Sequence, residues 1–262
     1  MPVKKSLISQ ATPLHPKLRG LVIGASSGLG AALVRRLSRE GYTLAVVARR
    51  KAQLTSLCTE INENSREIRA LSYEHDVSDY NDVPDLLRRI VADLGGLDLV
   101  IYVAGVNFPP GPDEYNFDRD RQMLEINLIG AFAWLNPIAS MFQSAKQGQI
   151  VGISSVAGDR GRVGNPGYNT SKAGLTTYLE ALRNRLTRHG VNVITVKPGF
   201  MQTDMLKAAP KVLFPITAEK AADDIWLAIR AHKQQIYTPW FWSWIMFVIR
   251  NTPSVLFRRM SF

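Results

Sequence analysis

The chain has 262 residues, 46% hydrophobic and 21% charged, a balance that suits one α/β domain and excludes disorder as the dominant state. One cysteine, Cys58, excludes an intrachain disulfide and fits a reducing, cytoplasmic setting. The formal charge of +10 calls for an anionic partner, yet no zinc-ligand spacing, RNA-binding aromatic signature or internal repeat accompanies it, so nucleic acid is not expected.

Residues 1–17 are basic but lack an apolar run of signal-peptide length and read as a short tether. From Leu18 onward strand-like and helix-like stretches alternate. "LRGLVIGA" is a short apolar run ending in glycine, and "AALVRRLSREG" follows with Ala32, Leu33 and Leu37 at helical spacing. "YTLAVVARR" is a second buried strand, and "KAQLTSLCTEINEN" a helix with Leu54, Leu57, Cys58 and Ile61 on one face. "REIRALSYEHDV", "LDLVIYVAG", "GQIVGISS" and "VNVITVKPG" continue the strands, with helices between. Such alternation implies parallel βαβ units with right-handed crossovers, a doubly wound sheet covered on both faces. No Pro/Gly/Ser linker divides residues 18–239, which read as a single domain.

The first strand-to-helix turn, "VIGASSGLGAALVRRL", carries Gly24, Gly28 and Gly30 with Leu29 between the last two. Glycines permit the tight turn and let a pyrophosphate approach the backbone, and the helix N-terminus offers free N–H groups to it. Ser26 and Ser27 add hydroxyl donors. A glycine-rich turn with a purely structural role is the alternative. The second strand ends in Arg49-Arg50, with no Asp or Glu from Gly41 through Thr59. An acidic residue there would favour the ribose 2′-hydroxyl of NAD, whereas arginine suits a 2′-phosphate, so NADP(H) is the expected cofactor. Asp76 and Val77, after the third strand, fall where an adenine edge would sit.

"GYNTSKAGL" puts Tyr168 and Lys172 four residues apart on one helical face. Ser155 ends the strand "GQIVGISS", and Asn127 lies in the helical stretch "EINLIGAF". With the glycine loop, this set resembles the short-chain dehydrogenase/reductase family in its compact form, over about Leu18 to Pro239. The carriers are "GASSGLG", "HDV", "VAG" ending at Ala104-Gly105, Asn127, "ISS" with Ser155 thirteen residues before Tyr168, "YNTSK" and "KPGFMQT". The resemblance implies a Rossmann-type sheet with a seventh strand at "QQIYTP", a nicotinamide cofactor and carbonyl/alcohol redox chemistry. It also implies that Pro198, Gly199 and Thr203 lie by the nicotinamide, that Lys172 holds the ribose hydroxyls, and that Asn127 anchors a water linking lysine to solvent. Two positions depart from the family pattern: Ile23 replaces the usual threonine, and Tyr102-Val103 the usual Asn-Asn.

The residue types carry the chemistry. A phenol near pKa 10 is a poor base at neutral pH. A Lys172 ammonium and an oxidised nicotinamide favour phenolate, and lowering the pKa by about three units needs roughly 4 kcal/mol. Ser155 hydrogen-bonds the substrate oxygen as charge develops. The stretch "DMLKAAPKVLFPI" reads as an apolar lid, through Met205, Leu206, Val212, Leu213 and Phe214, and points to a lipophilic ketone or aldehyde, or a lipid-linked substrate. A cofactor-sensing regulator without turnover, or an epimerase on a sugar substrate, are the alternatives. The tail is also similar to that of reductases acting on polyprenyl-linked sugars.

The last segment, residues 240–262, contains "WFWSWIMFVI" and "SVLFRRMSF". No acid follows Asp224, while Arg230, Lys233, Arg250, Arg258 and Arg259 do. A ten-residue helix is about 15 Å long, half a bilayer core, so it cannot span. Three outcomes are open: it packs against another subunit of a homodimer or homotetramer, it covers the active site, or it rests on the cytoplasmic membrane face as a peripheral anchor.

Overall fold

The computed structural model describes residues 18–65, 68–111, 113–202 and 213–259. Among these, strands β1 (Leu18–Ile23), β2 (Tyr42–Ala48), β3 (Ala70–Glu74), β4 (Leu99–Tyr102), β5 (Gln149–Ile153), β6 (Asn192–Pro198) and β7 (Gln235–Thr238) form one sheet. Every pairing is parallel, in the order β3-β2-β1-β4-β5-β6-β7. The inner strands read as continuous apolar runs because both faces are covered: alternate residues of β1 serve opposite cores, Val22 one and Leu21 and Ile23 the other.

Helices α1 (Gly28–Arg39), α2 (Lys51–Ser65) and α7 (Ala218–Arg230) cover the first face. The sequence-predicted face of α2 is the buried one, with Leu54, Leu57, Cys58 and Ile61 inside. Helices α3 (Val83–Leu94), α5 (Gly130–Ala145) and α6 (Pro166–Leu186) cover the second face. Helix α4 (Phe117–Leu124) runs into a single π-turn over Glu125–Ile129 before α5. The expected plain helix around Asn127 is thus widened by one residue, a geometry that recurs at functional positions.

The chain order reverses between β1 and β4, so a crevice opens at the carboxyl ends of these strands. The two departures from the family pattern lie there. Ile23 is fully buried. Tyr102, also fully buried, donates a 2.7 Å hydrogen bond from its phenol to the Ile126 carbonyl, tying β4 to the π-turn. That bond braces this place in the sheet.

The tail forms α8 (Trp242–Asn251) and α9 (Ser254–Phe257). Trp242 and Met246 pack with Val156 in a third apolar cluster, flanked by Phe200, Tyr237, Ile245 and Ile249. One face of α8 therefore covers the crevice. No described helix is long and apolar enough to cross a membrane.

Candidate active site

The glycine turn is shaped by contacts that a side chain would destroy. Gly24 has φ +94, and a Cβ on it would fall 2.4 Å from the Ala104 nitrogen. A Cβ on Gly30 would lie 2.2 Å from the Gly24 carbonyl oxygen, so α1 can approach β1 this closely only with glycine there. Gly28, at φ 52, opens α1. The helix N-cap, Ser27, makes no side-chain cap bond, and the first turn holds no acidic residue. The amides of that turn are left to serve an anion.

Arg50 reaches back over this turn. Its Nε and a terminal nitrogen donate to the Ser26 hydroxyl at 3.0 and 2.8 Å, and the terminal nitrogen also donates to the Ser27 hydroxyl. Arg49 stands 3.7 Å from Asp76. Burial raises the Asp76 carboxyl, but the Ser78 amide and hydroxyl and the Arg49 charge outweigh it and hold the group below the usual carboxylate range. A phosphate-sized anion thus meets a helix N-terminus, two hydroxyls and two guanidinium groups in one place. These residues fit a dinucleotide with a phosphorylated ribose.

The second half of the site comes from β5, the loop after it, and α6. Ser155 ends the strand segment and accepts a 3.1 Å bond from the Ala157 amide, which leaves its own O–H free to donate. Its neighbour Ser154 instead braces α6 through the Lys172 carbonyl, at 2.9 Å, and the Thr176 hydroxyl, at 2.7 Å. Helix α6 starts at Pro166 behind an Asn165 cap, whose side chain accepts from the Tyr168 amide at 3.2 Å. Tyr168 therefore sits in the first turn and Lys172 one turn deeper. The Lys172 ammonium donates to the Ile153 carbonyl at 2.9 Å and lies 5.8 Å from the Tyr168 ring centre. Burial pulls it down to about 8. Burial raises the Tyr168 phenol, while the Ser155 hydrogen bond and the Arg162 charge pull it back.

Asn127 stands behind this wall, fully buried. Its Oδ1 accepts from the Val106 amide at 2.7 Å, and its Nδ2 donates to the Val106 carbonyl and the Ser171 hydroxyl at 3.0 and 2.9 Å. It fixes the loop after β4 against α6.

One cleft of about 1010 Å³ gathers these groups. Gly24, Ser26, Ser27, Gly28, Leu29, Gly30, Arg49, Arg50, Asp76, Val77, Ala104, Gly105, Ser155, Tyr168, Lys172, Pro198 and Gly199 all line it. Thr203, and Met205, Leu206 and Val212 of the expected lid, lie outside the described residues. Leu213 and Phe214 do line the cleft. So do four residues that sequence reasoning missed: Arg162, Trp242, Ile245 and Ile249. An arginine in a glycine-rich loop carries no pattern that marks it as inward. For the α8 residues, the apolar character of the helix was visible but not the face it turns.

The family model described as short chain dehydrogenase matches residues 20–212. An uncharacterized oxidoreductase of Myxococcus xanthus is 36% identical over 185 residues, 71% of this chain and 72% of that protein. An acetoacetyl-CoA reductase of Shinella zoogloeoides is 29% identical over 191 residues, 73% and 77% of the two chains. Among solved structures, ElxO with NADP bound superposes with a TM-score of 0.71 at 20% identity, over 80% of this chain and 90% of that one. The chain belongs to the short chain dehydrogenase family and is an oxidoreductase of that family.

Proposed function

We propose that this protein is an NADP(H)-dependent oxidoreductase that interconverts a carbonyl and an alcohol, in the main by reducing a lipophilic ketone or aldehyde. The observation that carries the reading is the convergence of Ser155, Tyr168 and Lys172 on the same cleft as the glycine turn and the Arg49-Arg50 pair. The NADP-bound neighbour of the same fold supports the cofactor.

The bound cofactor supplies or accepts a hydride at its nicotinamide ring. The chain's part is to hold it and to move a proton. With the cofactor bound, Gly24 to Gly30 would hold the pyrophosphate and Arg50 the 2′-phosphate, and Pro198 and Gly199 would border the nicotinamide. Ser155 donates to the substrate oxygen, and Tyr168 delivers the proton to it. Lys172, whose hydrogen-bond partner among the described residues is the Ile153 carbonyl alone, would orient the ribose and favour the ionised phenol. Asn127 Oδ1 and the Lys172 ammonium both border Gly105, which supports a role for Asn127 in anchoring a water that resupplies the lysine with protons.

The apolar end of the cleft explains the substrate class: Phe200, Phe214, Trp242, Ile245 and Ile249 line it. The outer surface of the same tail presents Trp240, Trp244, Phe247, Val248, Val255 and Leu256, each more than half exposed. Arg250, Arg258 and Arg259 lie among them, with no acid after Asp224. This surface suits the interface of an anionic membrane, where a lipid-borne substrate would be close to the cleft.

The test is NADPH and NADH oxidation across a panel of hydrophobic carbonyls. Turnover with NADPH, cut by at least about 10²-fold in Tyr168→Phe with cofactor affinity intact, is the expected result. Near-normal turnover in the folded variant would sink the assignment.

A further inference from the structure

Arg162 is a cation in the wall of the cleft, and no acid among the described residues forms an ion pair with it. Its Nε is shielded from solvent and has no hydrogen-bond partner among the described residues, and its guanidinium forms no ion pair there. The nearest acid by charge effect is Asp159. Both oxygens of that carboxylate are already engaged, one by the Lys197 ammonium at 2.5 Å and the other by the Tyr237 phenol at 2.7 Å. A partly buried guanidinium whose Nε is cut off from solvent without a partner is costly, and surface loops avoid it by turning the side chain outward. Here the loop is held instead. Asp159 is anchored as above, Arg160 donates to carbonyls at the end of α8, and the Asn169 side chain donates to the Arg162 carbonyl at 3.3 Å. The guanidinium is thus fixed beside the cleft, close enough to Tyr168 for the two charges to act on each other.

We propose that Arg162 binds a carboxylate on the substrate, and that the protein acts on oxo acids with an apolar chain. This rests on the oxidoreductase reading of the cleft. The acid group would lie within a few bonds of the reacting carbon, because both residues line the cleft, Asn169 beside Tyr168 holds the Arg162 carbonyl, and the Arg162 charge acts on the Tyr168 phenol. The chain would run along Phe214, Ile245 and Ile249. An arginine fork suits a carboxylate through two parallel bonds and is charged at any working pH.

Two measurements test this. The first is calorimetric titration of the protein with decanoate and with 1-decanol, with and without saturating NADP⁺, which fills the phosphate sites around Arg50. The wild type should bind decanoate more tightly, and Arg162→Leu should lose that preference by at least about tenfold. Arg162→Lys should keep part of it. The second compares kcat/KM for 3-oxodecanoate and 3-decanone, whose ratio should fall by the same factor in Arg162→Leu. Circular dichroism and NADPH binding establish that each variant is folded. A wild type that does not favour the acid, or a ratio unchanged in the folded Arg162→Leu protein, overturns the proposal. If titration shows the Arg162-dependent preference but neither ketone is turned over, the carboxylate site stands and the reaction assignment falls.

Discussion

Asn127 and Lys172 both border Gly105: a Cβ built on that glycine would stand 3.2 Å from Asn127 Oδ1 and 3.3 Å from the Lys172 ammonium. The glycine therefore keeps open the space on which both groups border. Gly105→Ala should push Lys172 aside by a few tenths of an ångström. Turnover should fall by about tenfold or more, since small misplacements at a reacting centre are expensive. Steady-state kinetics beside NADPH titration will read this. A loss confined to cofactor affinity would show that Gly105 serves the binding surface and not the Lys172 geometry.

The burial of Lys172 has a signature in stability. Its folded-state pKa is about 8, against an ordinary 10.5. Above pH 8 the folded protein sheds this proton while the unfolded chain keeps it, so the unfolded state binds more protons and stability rises with pH. The buried Cys58 thiol, lifted from 9.0 to about 11, works in the opposite sense above pH 9. The window for Lys172 is therefore pH 8 to 9. Across it, the cofactor-free wild type should gain up to about 1 kcal/mol relative to Lys172→Met, measured by urea melts at each pH. Parallel slopes for the two proteins would mean that Lys172 does not titrate near 8.

Cofactor choice should depend on the arginine pair. Each charge-assisted bond to a 2′-phosphate is worth about 1.5–3 kcal/mol. Arg50→Ala should weaken NADPH by at least tenfold while leaving NADH nearly unchanged, and Arg49→Asp should narrow or reverse the preference. Fluorescence titration of both cofactors against the three proteins is sufficient. A wild type that binds NADH more tightly than NADPH refutes the assignment of this strand end.

The outer face of α8 can be tested without touching the inner one. Trp244→Ser with Phe247→Ser removes two exposed aromatics and spares Trp242, Ile245 and Ile249, which line the cleft. Each buried apolar side chain lost should weaken membrane association by roughly 1.5–3 kcal/mol. Co-sedimentation with anionic and neutral liposomes should show the double variant staying in solution, with full activity on a soluble ketone. If both proteins sediment alike and the variant instead runs as a smaller species in gel filtration, this face is a subunit contact. Truncation after Pro239 is a poorer probe, because it strips the wall of the cleft.

Much of this architecture was legible in the sequence because it rests on local rules. The central strands are apolar runs bounded by turn residues, whereas the edge strand β7 is implied only by the family resemblance, and the buried face of α2 follows from Leu54, Leu57, Cys58 and Ile61 at helical spacing. The glycine turn and the Tyr168–Lys172 pair are visible as spacing. What escaped depends on tertiary contact. The π-turn at Asn127 is set by packing against β4, where Tyr102 meets the Ile126 carbonyl. The inward turn of Arg162 follows from the anchoring of its loop, and the face of α8 that covers the cleft follows from Phe200 and Val156 beneath Trp242. No periodicity encodes a contact between residues so far apart in the chain.

The loop between Ser155 and Tyr168 is fastened at both ends. Asp159 is clamped to β6 and β7 through Lys197 and Tyr237, and Asn165 caps α6 while bonding Asn107. Between those fixed points Asn169 holds the Arg162 carbonyl, and Arg162, Val163 and Gly164 line the cleft. Cβ atoms on Gly161 and Gly164 would meet nothing within 4 Å. Substitutions at Gly161 and Gly164 can therefore accumulate without moving the serine or the tyrosine. Divergence among descendants of such a scaffold should concentrate at these two positions, and a designer wishing to retarget the protein should begin by exchanging them together.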